Sequence, residues 1–351
     1  MKLGIAGAGK IVLDLLSFIH EIPNISVIAI CGTPRSYEKL GQLRQQYRIP
    51  EIYTDYDRML EDDLDTVYIG LPNHLHYSFA RKALLQGKHV ICEKPFTSNL
   101  REFLELDRLA RERGLMLLEA VTTIHLQNYK SIKERVGLLG DIKIVQCNYS
   151  QYSSRYDAFK AGNTLPAFDP AMSGGALMDI NIYNIHWVTG LFGSPEHVQY
   201  TANIERGIDT SGVLLLDYGH FKAICVGAKD SSASAFYSIQ GDKGVIQMNS
   251  PANICESYTY TLHRQAPPEK VDHKITRTGC MTSSWSLNGL LHGRTRRLRS
   301  YCWSKAGESW KSCKRRENRP VLHLPLIVAS LIFFNELLLQ FTGFSQLLTN
   351  L

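Results

Sequence analysis

The stretch Lys2-Leu3-Gly4-Ile5-Ala6-Gly7-Ala8-Gly9-Lys10-Ile11-Val12 decides how the rest of the chain is read. Lys2–Ala6 has the short, apolar character of a buried strand. Gly7 and Gly9 mark a tight turn, and a helical pattern opens at Lys10. Glycines at such a turn let the backbone pass close to a pyrophosphate, which the amides at the helix N-terminus then hold. Val12 stands where the full fingerprint has glycine or alanine, so the motif is imperfect. Its strand–turn–helix setting weighs against the competing reading, an ordinary turn between strand and helix. Gly7, Gly9, Lys10 and Ile11 are the candidate contacts to a dinucleotide.

Outward from this motif, apolar runs at Ser26–Cys31, Thr66–Gly70, His89–Cys92 and Leu115–Ala120 show little alternation, as strands buried on both faces do. Helical patterns separate them. One follows Pro72-Asn73-His74 and stops at Gly87; another opens at Ser98-Asn99, with Glu102 as capping-box partner, and stops at Gly114. This alternation predicts a doubly wound parallel sheet, a Rossmann domain over residues 1–120. From about residue 142 the texture changes. Ile142–Tyr149, His197–Ile204, Gly212–Tyr218, Phe221–Gly227, Ala235–Gln240, Gly244–Met248 and Ser257–Arg264 read as strands with short connections, interrupted by one long helix, Ala176–Leu191. Residues 121–277 are therefore expected to form an α+β domain with an open, mostly antiparallel sheet.

Three further places carry chemistry. After the second strand the sequence Cys31-Gly32-Thr33-Pro34-Arg35-Ser36 lacks the carboxylate that would bind a ribose 2′-hydroxyl. Arg35 can pair with a 2′-phosphate and Thr33 can donate to it, which favours NADP(H) over NAD(H); a solvated loop arginine is the alternative. Glu93-Lys94-Pro95 lies at the carboxyl end of the fourth strand, where doubly wound sheets bind ligands. A lysine in a dry site beside a cofactor cation is expected to have a lowered pKa and to transfer protons. Asp179, Tyr183 and His186 fall at helical spacing on one face of an otherwise apolar helix. Tyr183 can bond a substrate oxygen and Asp179 can orient it; an amphipathic helix with satisfied polar groups is the alternative.

Taken in order, Gly7–Val12, Leu71-Pro72-Asn73-His74-Leu75-His76, Glu93-Lys94-Pro95 and Gly174–Tyr183 resemble the Gfo/Idh/MocA oxidoreductases over about residues 2–277. The order and spacing carry the resemblance; no single motif does. It implies that Lys94 transfers a proton near the nicotinamide, that Tyr183 shares the acid–base work and that Asp179 orients the pair. It implies that Glu93, Pro72, Asn73 and His76 line the nicotinamide side, and that the Lys94–Pro95 bond is cis. The tyrosine at 183 is more like the dihydrodiol/xylose dehydrogenase and glucose–fructose oxidoreductase branch than inositol dehydrogenase. Asn181 replaces a frequent glycine, a departure without an explanation here. The implied reaction is reversible hydride transfer between nicotinamide and a secondary alcohol or carbonyl of a sugar, cyclitol or dihydrodiol-like compound, in a cytoplasmic homo-oligomer joined through the C-terminal sheet. The hydroxyl-rich Tyr149–Tyr156 either contacts such a substrate or is a strand end and loop.

The composition, 44% hydrophobic and 21% charged over 351 residues, excludes a disordered or fibrous chain. The net charge of +6 suggests a nucleic-acid or membrane partner until its distribution is examined. Eleven of the 39 basic and two of the 33 acidic residues lie in 277–319, a local charge of +9; the remaining 28 and 31 leave −3. The eight cysteines include no C-x-x-C pair and no zinc spacing, so reduced thiols and no metal are expected.

Residues 278–351 fit neither the family nor an ordinary soluble domain. Residues 278–320 hold three of the four tryptophans and three of the eight cysteines. Clustered Trp, Cys and Ser are what apolar codons become when read out of frame, and a shifted reading from Thr278 restores amphipathic helices. The expectation is a frameshift near Arg277/Thr278, which sequencing the gene region tests. Val321–Phe341 is apolar, but His323, Pro325, Asn335 and Glu336 weigh against a membrane anchor. Neither a nucleic acid nor a membrane is expected as a partner. A disrupted C-terminus keeps a second reading open, a catalytically impaired nucleotide-binding protein or sensor.

Overall fold

A computed structural model describes residues 1–22, 24–263 and 267–273; the reading of 278–351 as an out-of-frame tail, with Val321–Phe341 inside it, lies outside the described residues. The first strands are built from Val, Ile and Leu buried on both faces, so each needs a helical layer above and below. They supply it through β1 (Lys2–Ala6), α1 (Lys10–Phe18), β2 (Ser26–Cys31), α2 (Tyr37–Tyr47), β3 (Glu51–Tyr53), α3 (Tyr56–Leu60), β4 (Thr66–Ile69), α4 (His76–Leu85), β5 (His89–Glu93), α5 (Leu100–Arg113) and β6 (Leu117–Ala120). All six strands are parallel, in the order β3-β2-β1-β4-β5-β6. On one face Leu3 and Ile5 pack with Val12, Leu15 and Leu40; on the other Val67, Ile69, Val90 and Cys92 pack with Ala80, Leu84, Phe103 and Leu106.

Helix ends follow the punctuation seen in the sequence. Asn99 accepts from the Glu102 amide at 3.0 Å while the Glu102 carboxylate accepts from the Ser98 amide at 3.0 Å, a reciprocal cap at the start of α5. Gly114 ends it at φ +64°.

The second half comprises α6 (Gln127–Arg135), β7 (Ile142–Ser150), α7 (Tyr156–Lys160), α8 (Ile182–Phe192) and then β8 (His197–Glu205), β9 (Ile208–Asp217), β10 (Lys222–Ala228), β11 (Phe236–Gly241), β12 (Gly244–Met248), β13 (Tyr258–Leu262) and β14 (Glu269–Val271). The eight strands run β14-β13-β12-β11-β7-β10-β9-β8. Only β7 and β10 pair in parallel; every other neighbour is antiparallel. The inner face packs on α8 and α6 through Val145, Tyr129, Trp187 and Tyr237, in one core shared with the far face of the first sheet.

Two features differ from expectation, each for its own reason. β3 and β14 are three-residue edge strands, each held by a single neighbour, too short to carry a periodic pattern. The single helix expected over Ala176–Leu191 divides into a wider π turn, Leu177–Asn181, followed by α8. Asp209 caps the start of the turn by accepting the Leu177 amide at 2.7 Å. Gly175, at φ +105°, gives Asp209 the room, because a Cβ there would collide with its carboxylate.

Candidate active site

The site forms at the carboxyl ends of the first sheet, where the strand order reverses between β1 and β4. Gly7 follows β1 at φ +119°, and a Cβ on it would overlap the Gly70 carbonyl oxygen beyond β4. Gly9 differs: its φ is −76° and nothing lies within 4 Å of where a Cβ would stand. No internal packing requires that glycine, so its bareness keeps the space above α1 open. The start of α1, at Lys10 and Ile11, has no side-chain cap and no acidic residue in its first turn. Backbone amides with partial positive charge, facing a turn without side chains, fit a dinucleotide pyrophosphate.

At the end of β2, Thr33 and Arg35 are both exposed, and the Ser36 hydroxyl donates to the Thr33 carbonyl at 2.8 Å. Lys39 on α2, which the motif reading missed, donates to the Ala8 carbonyl at 2.6 Å and brings a second cation to the glycine turn. Its spacing of four from Arg35 is the only signal the sequence held for it.

At the end of β5 the Lys94–Pro95 bond is cis. The Lys94 ammonium donates to the Asp179 main-chain oxygen at 2.9 Å and to Asp179 Oδ1 at 3.1 Å, and lies 4.8 Å from the centre of the Tyr183 ring. Asp179 sits in the π turn and Tyr183 one residue into α8, so the wider turn still brings both to the lysine. Their spacing does not extend to His186. That imidazole is buried, with Nε2 3.3 Å from Glu119 Oε2, outside the cavity.

The motif before α4 divides between two roles. Asn73 donates to the Ser173 carbonyl at 2.8 Å, linking the two halves, and Pro72 is exposed beside it. His76, expected to line the cofactor, is fully buried, with Nδ1 2.8 Å from the Pro95 oxygen and Nε2 2.8 Å from the Leu71 oxygen. It fastens the Lys94–Pro95 turn to the Leu71–Pro72 turn. Glu93 is also buried, accepting from the Tyr68 hydroxyl at 2.7 Å beneath the sheet end. Burial pushes its carboxyl up to about 7, against the pull of Tyr68 and Lys94.

A cavity of ≈ 330 Å³ opens over Lys94, Asp179, Ile180 and Tyr183, walled by Tyr149, Gln151, Tyr152, Ser153 and Ser154 from the end of β7 and the loop after it. Tyr149 meets the Tyr183 ring at 5.9 Å. Lys229, at the end of β10, completes the lining; its ammonium is 2.8 Å from Asp179 Oδ2. No sequence motif contained Lys229, and its only signal was a lysine closing an apolar strand. Among the described residues no three His, Cys, Asp or Glu side chains converge on a metal-sized site, and no helix is long and apolar enough to cross a membrane.

Burial alone would lower the Lys94 pKa, as expected from the sequence. Tyr183 and Asp179 more than reverse it, and the ammonium is held above the ordinary lysine range. Burial raises the Asp179 carboxyl, but Lys94 and Lys229 outweigh it and hold the group well below the usual carboxylate range. Burial raises the Tyr183 phenol, with Lys94 opposing and Glu93 and Asp179 adding to it. The resting site is therefore two ammoniums, one carboxylate and a neutral phenol. With a glycine turn at the switch point of a doubly wound sheet, that arrangement defines an NAD(P)-dependent oxidoreductase.

Comparison with known proteins agrees. Residues 1–121 match the oxidoreductase family's NAD-binding Rossmann fold, and residues 130–247 the GFO/IDH/MocA C-terminal domain. The scyllo-inositol 2-dehydrogenase (NADP(+)) IolU of Bacillus subtilis is 35% identical over 78% of this chain and 79% of its own. The trans-1,2-dihydrobenzene-1,2-diol dehydrogenase of Xenopus tropicalis is 28% identical over 71% and 75%. The 3-ketoreductase KijD10 of Actinomadura kijaniata, solved with TDP-benzene and NADP, shares the fold, with a TM-score of 0.70 at 22% identity over 96% of both chains. The chain belongs to the Gfo/Idh/MocA family. Of these two relatives the inositol enzyme is the more similar, although the tyrosine at 183 had pointed towards the dihydrodiol branch.

Proposed function

We propose that the chain interconverts a secondary alcohol and its ketone on a small polyhydroxylated ring compound, with NADP(H) as cofactor. The observation that carries this reading is the convergence of Lys94, Asp179 and Tyr183 under a hydroxyl-lined cavity at the cofactor edge of the sheet. The names of the two relatives support the substrate class, since both compounds bear neighbouring hydroxyls on a carbocycle. Residues 1–120 would bind the cofactor and residues 121–277 would shape the substrate side and the oligomer contact.

Gly7, Gly9 and the first amides of α1, at Lys10 and Ile11, would hold the pyrophosphate; Thr33 and Arg35 would hold the 2′-phosphate; Pro72, Asn73 and Glu93 would border the nicotinamide. When bound, the nicotinamide accepts or supplies the hydride. The protein's part is to orient the alcohol carbon and manage the hydroxyl proton. Tyr183 meets the reacting oxygen and shares its proton with Lys94, while Asp179 fixes the Lys94 ammonium through two contacts. The hydroxyls of Tyr149, Tyr152, Ser153 and Ser154 take the remaining hydroxyls of the substrate. Cofactor titration with NADPH against NADH, followed by turnover over a panel of cyclitols, aldoses and cyclic diols, tests the reading. Tight cofactor binding with no turnover on any of them would favour the impaired binding protein or sensor instead.

A further inference from the structure

Lys229 is more deeply enclosed than any other charged group in the cavity, with 3% of its side chain exposed against 16% for Lys94 and 36% for Asp179. It follows β10, and its amide donates to the Thr210 carbonyl at 2.8 Å, which fixes the backbone from which the side chain projects. An ammonium has three N–H donors. Here one meets Asp179 Oδ2 at 2.8 Å, one the Ala167 carbonyl at 2.5 Å, and the remaining side faces the Phe168 ring, 4.3 Å from its centre. No donor is left for a substrate.

Asp179 is divided in the same way. Oδ1 serves Lys94 and Oδ2 serves Lys229, so one carboxylate stands between two cations. A carboxylate given wholly to Lys94 would hold that lysine's proton tightly. The second ammonium takes up half of the carboxylate and adds a like charge, and both effects loosen the Lys94 proton. The other groups facing the pair do not replace Lys229. Tyr183, Glu93, Tyr149 and His76 face Lys94, and Asp209 from β9 faces Lys229; none of these is a cation at neutral pH except a protonated histidine, and burial lowers the His76 pKa. We propose that Lys229 is a positioning residue which, by sharing the Asp179 carboxylate, sets how readily Lys94 gives up its proton. This rests on the reading of Lys94 as the proton-transferring group. Interaction of the two ammoniums is mutual: burial lowers the Lys229 pKa, Asp179 opposes that, and Lys94 adds to the lowering.

The test is the pH profile of kcat/KM for alcohol oxidation in the full chain saturated with NADP+, whose nicotinamide cation lowers the Lys94 pKa from its resting value. Lys229→Met keeps the buried stem and removes the charge, leaving Asp179 to Lys94 alone. Its acidic limb is expected to move to higher pH by about one unit or more. Lys229→Arg, which stays charged, is expected to keep the limb in place. If Lys229→Met does not fold, Lys229→Gln retains donors for Asp179 and Ala167 without charge and carries the same expected shift. Uniform loss of kcat with the limb unmoved would mean that Lys229 only holds the fold, and overturns the proposal. A Lys94→Ala variant that kept its turnover would instead remove the underlying reading of Lys94, so the two failures are distinguishable.

Discussion

Lys94 Nζ lies 3.1 Å from Asp179 Oδ1, across 85 positions of sequence. Lys94 directly follows a strand of the parallel sheet, and Asp179 belongs to the π turn packed on the mixed sheet. One half of the chain thus supplies the lysine and the other the carboxylate that orients it, and neither half holds the proposed chemistry alone.

Lys94→Ala should therefore lower turnover by about 10²–10⁴-fold, the span associated with a positioned acid or base. NADPH binding, followed by quenching of nicotinamide fluorescence, should be retained, because the residues proposed to hold the phosphates lie elsewhere. Loss of binding together with turnover would place Lys94 in cofactor binding.

Arg35→Ala should weaken NADPH by roughly 10–100-fold, as expected for one lost charge-assisted contact to phosphate. NADH affinity should not change, since only the 2′-phosphate is proposed to face Arg35. Equal losses for both cofactors would count against the NADP(H) preference.

Gly7→Ala and Gly9→Ala separate what the fold needs from what the ligand needs. Position 7 combines φ +119° with overlap on the Gly70 oxygen, so alanine there should cost about 1–3 kcal/mol of stability. Position 9 has ordinary φ and open space, so alanine should leave the melting temperature nearly unchanged and still weaken dinucleotide binding. Unaltered binding by Gly9→Ala would show that the open space is not where the pyrophosphate sits.

Glu93 gives stability a pH dependence of known sign. Its carboxyl is raised from 4.5 to about 7, so the folded chain binds that proton more tightly than the unfolded one. Its contribution is complete below about 4.5 and is lost as pH rises through about 7. Glu93→Gln cannot ionise. Relative to the native chain its stability should rise across that window, by an amount on the order of 3 kcal/mol. Thermal melting of both proteins over a pH series checks this; a constant difference would refute it.

The outer face of the mixed sheet carries the proposed oligomer contact. Val213, on β9, is 45% exposed there, and Ile204, on the neighbouring strand, is 51% exposed. Val213→Asp should shift the light-scattering mass towards the monomer if this face joins two copies, and leave it unchanged if another surface does.

Much of the fold is legible because its signals are local. A strand buried on both faces must be a continuous apolar run, a φ of +119° must be glycine, and a capping box needs Asn99 and Glu102 three apart. Lys94, Asp179 and Tyr183 are legible for a related reason: chemistry-bearing residues interrupt apolar sequence at the ends of elements. β3 and β14 are not, since three residues cannot display a period.

What local sequence did not display comes from contacts distant in sequence. Helical spacing places His186 on the face of Asp179 and Tyr183, yet its imidazole is buried against Glu119, outside the cavity. His76 reads as a cofactor contact, and its place between two backbone carbonyls could not be read from local sequence. Lys229 belongs to no motif; it enters the site because β10 lies beside β7 and ends opposite the π turn. Local sequence settles strands, turns, caps and the kinds of residue that can do chemistry, since those depend on backbone sterics and short-range periodicity. Charge state and aim at the site were settled by packing: the raised Lys94 and the low Asp179 arise from charges brought within a few ångströms by the association of two sheets.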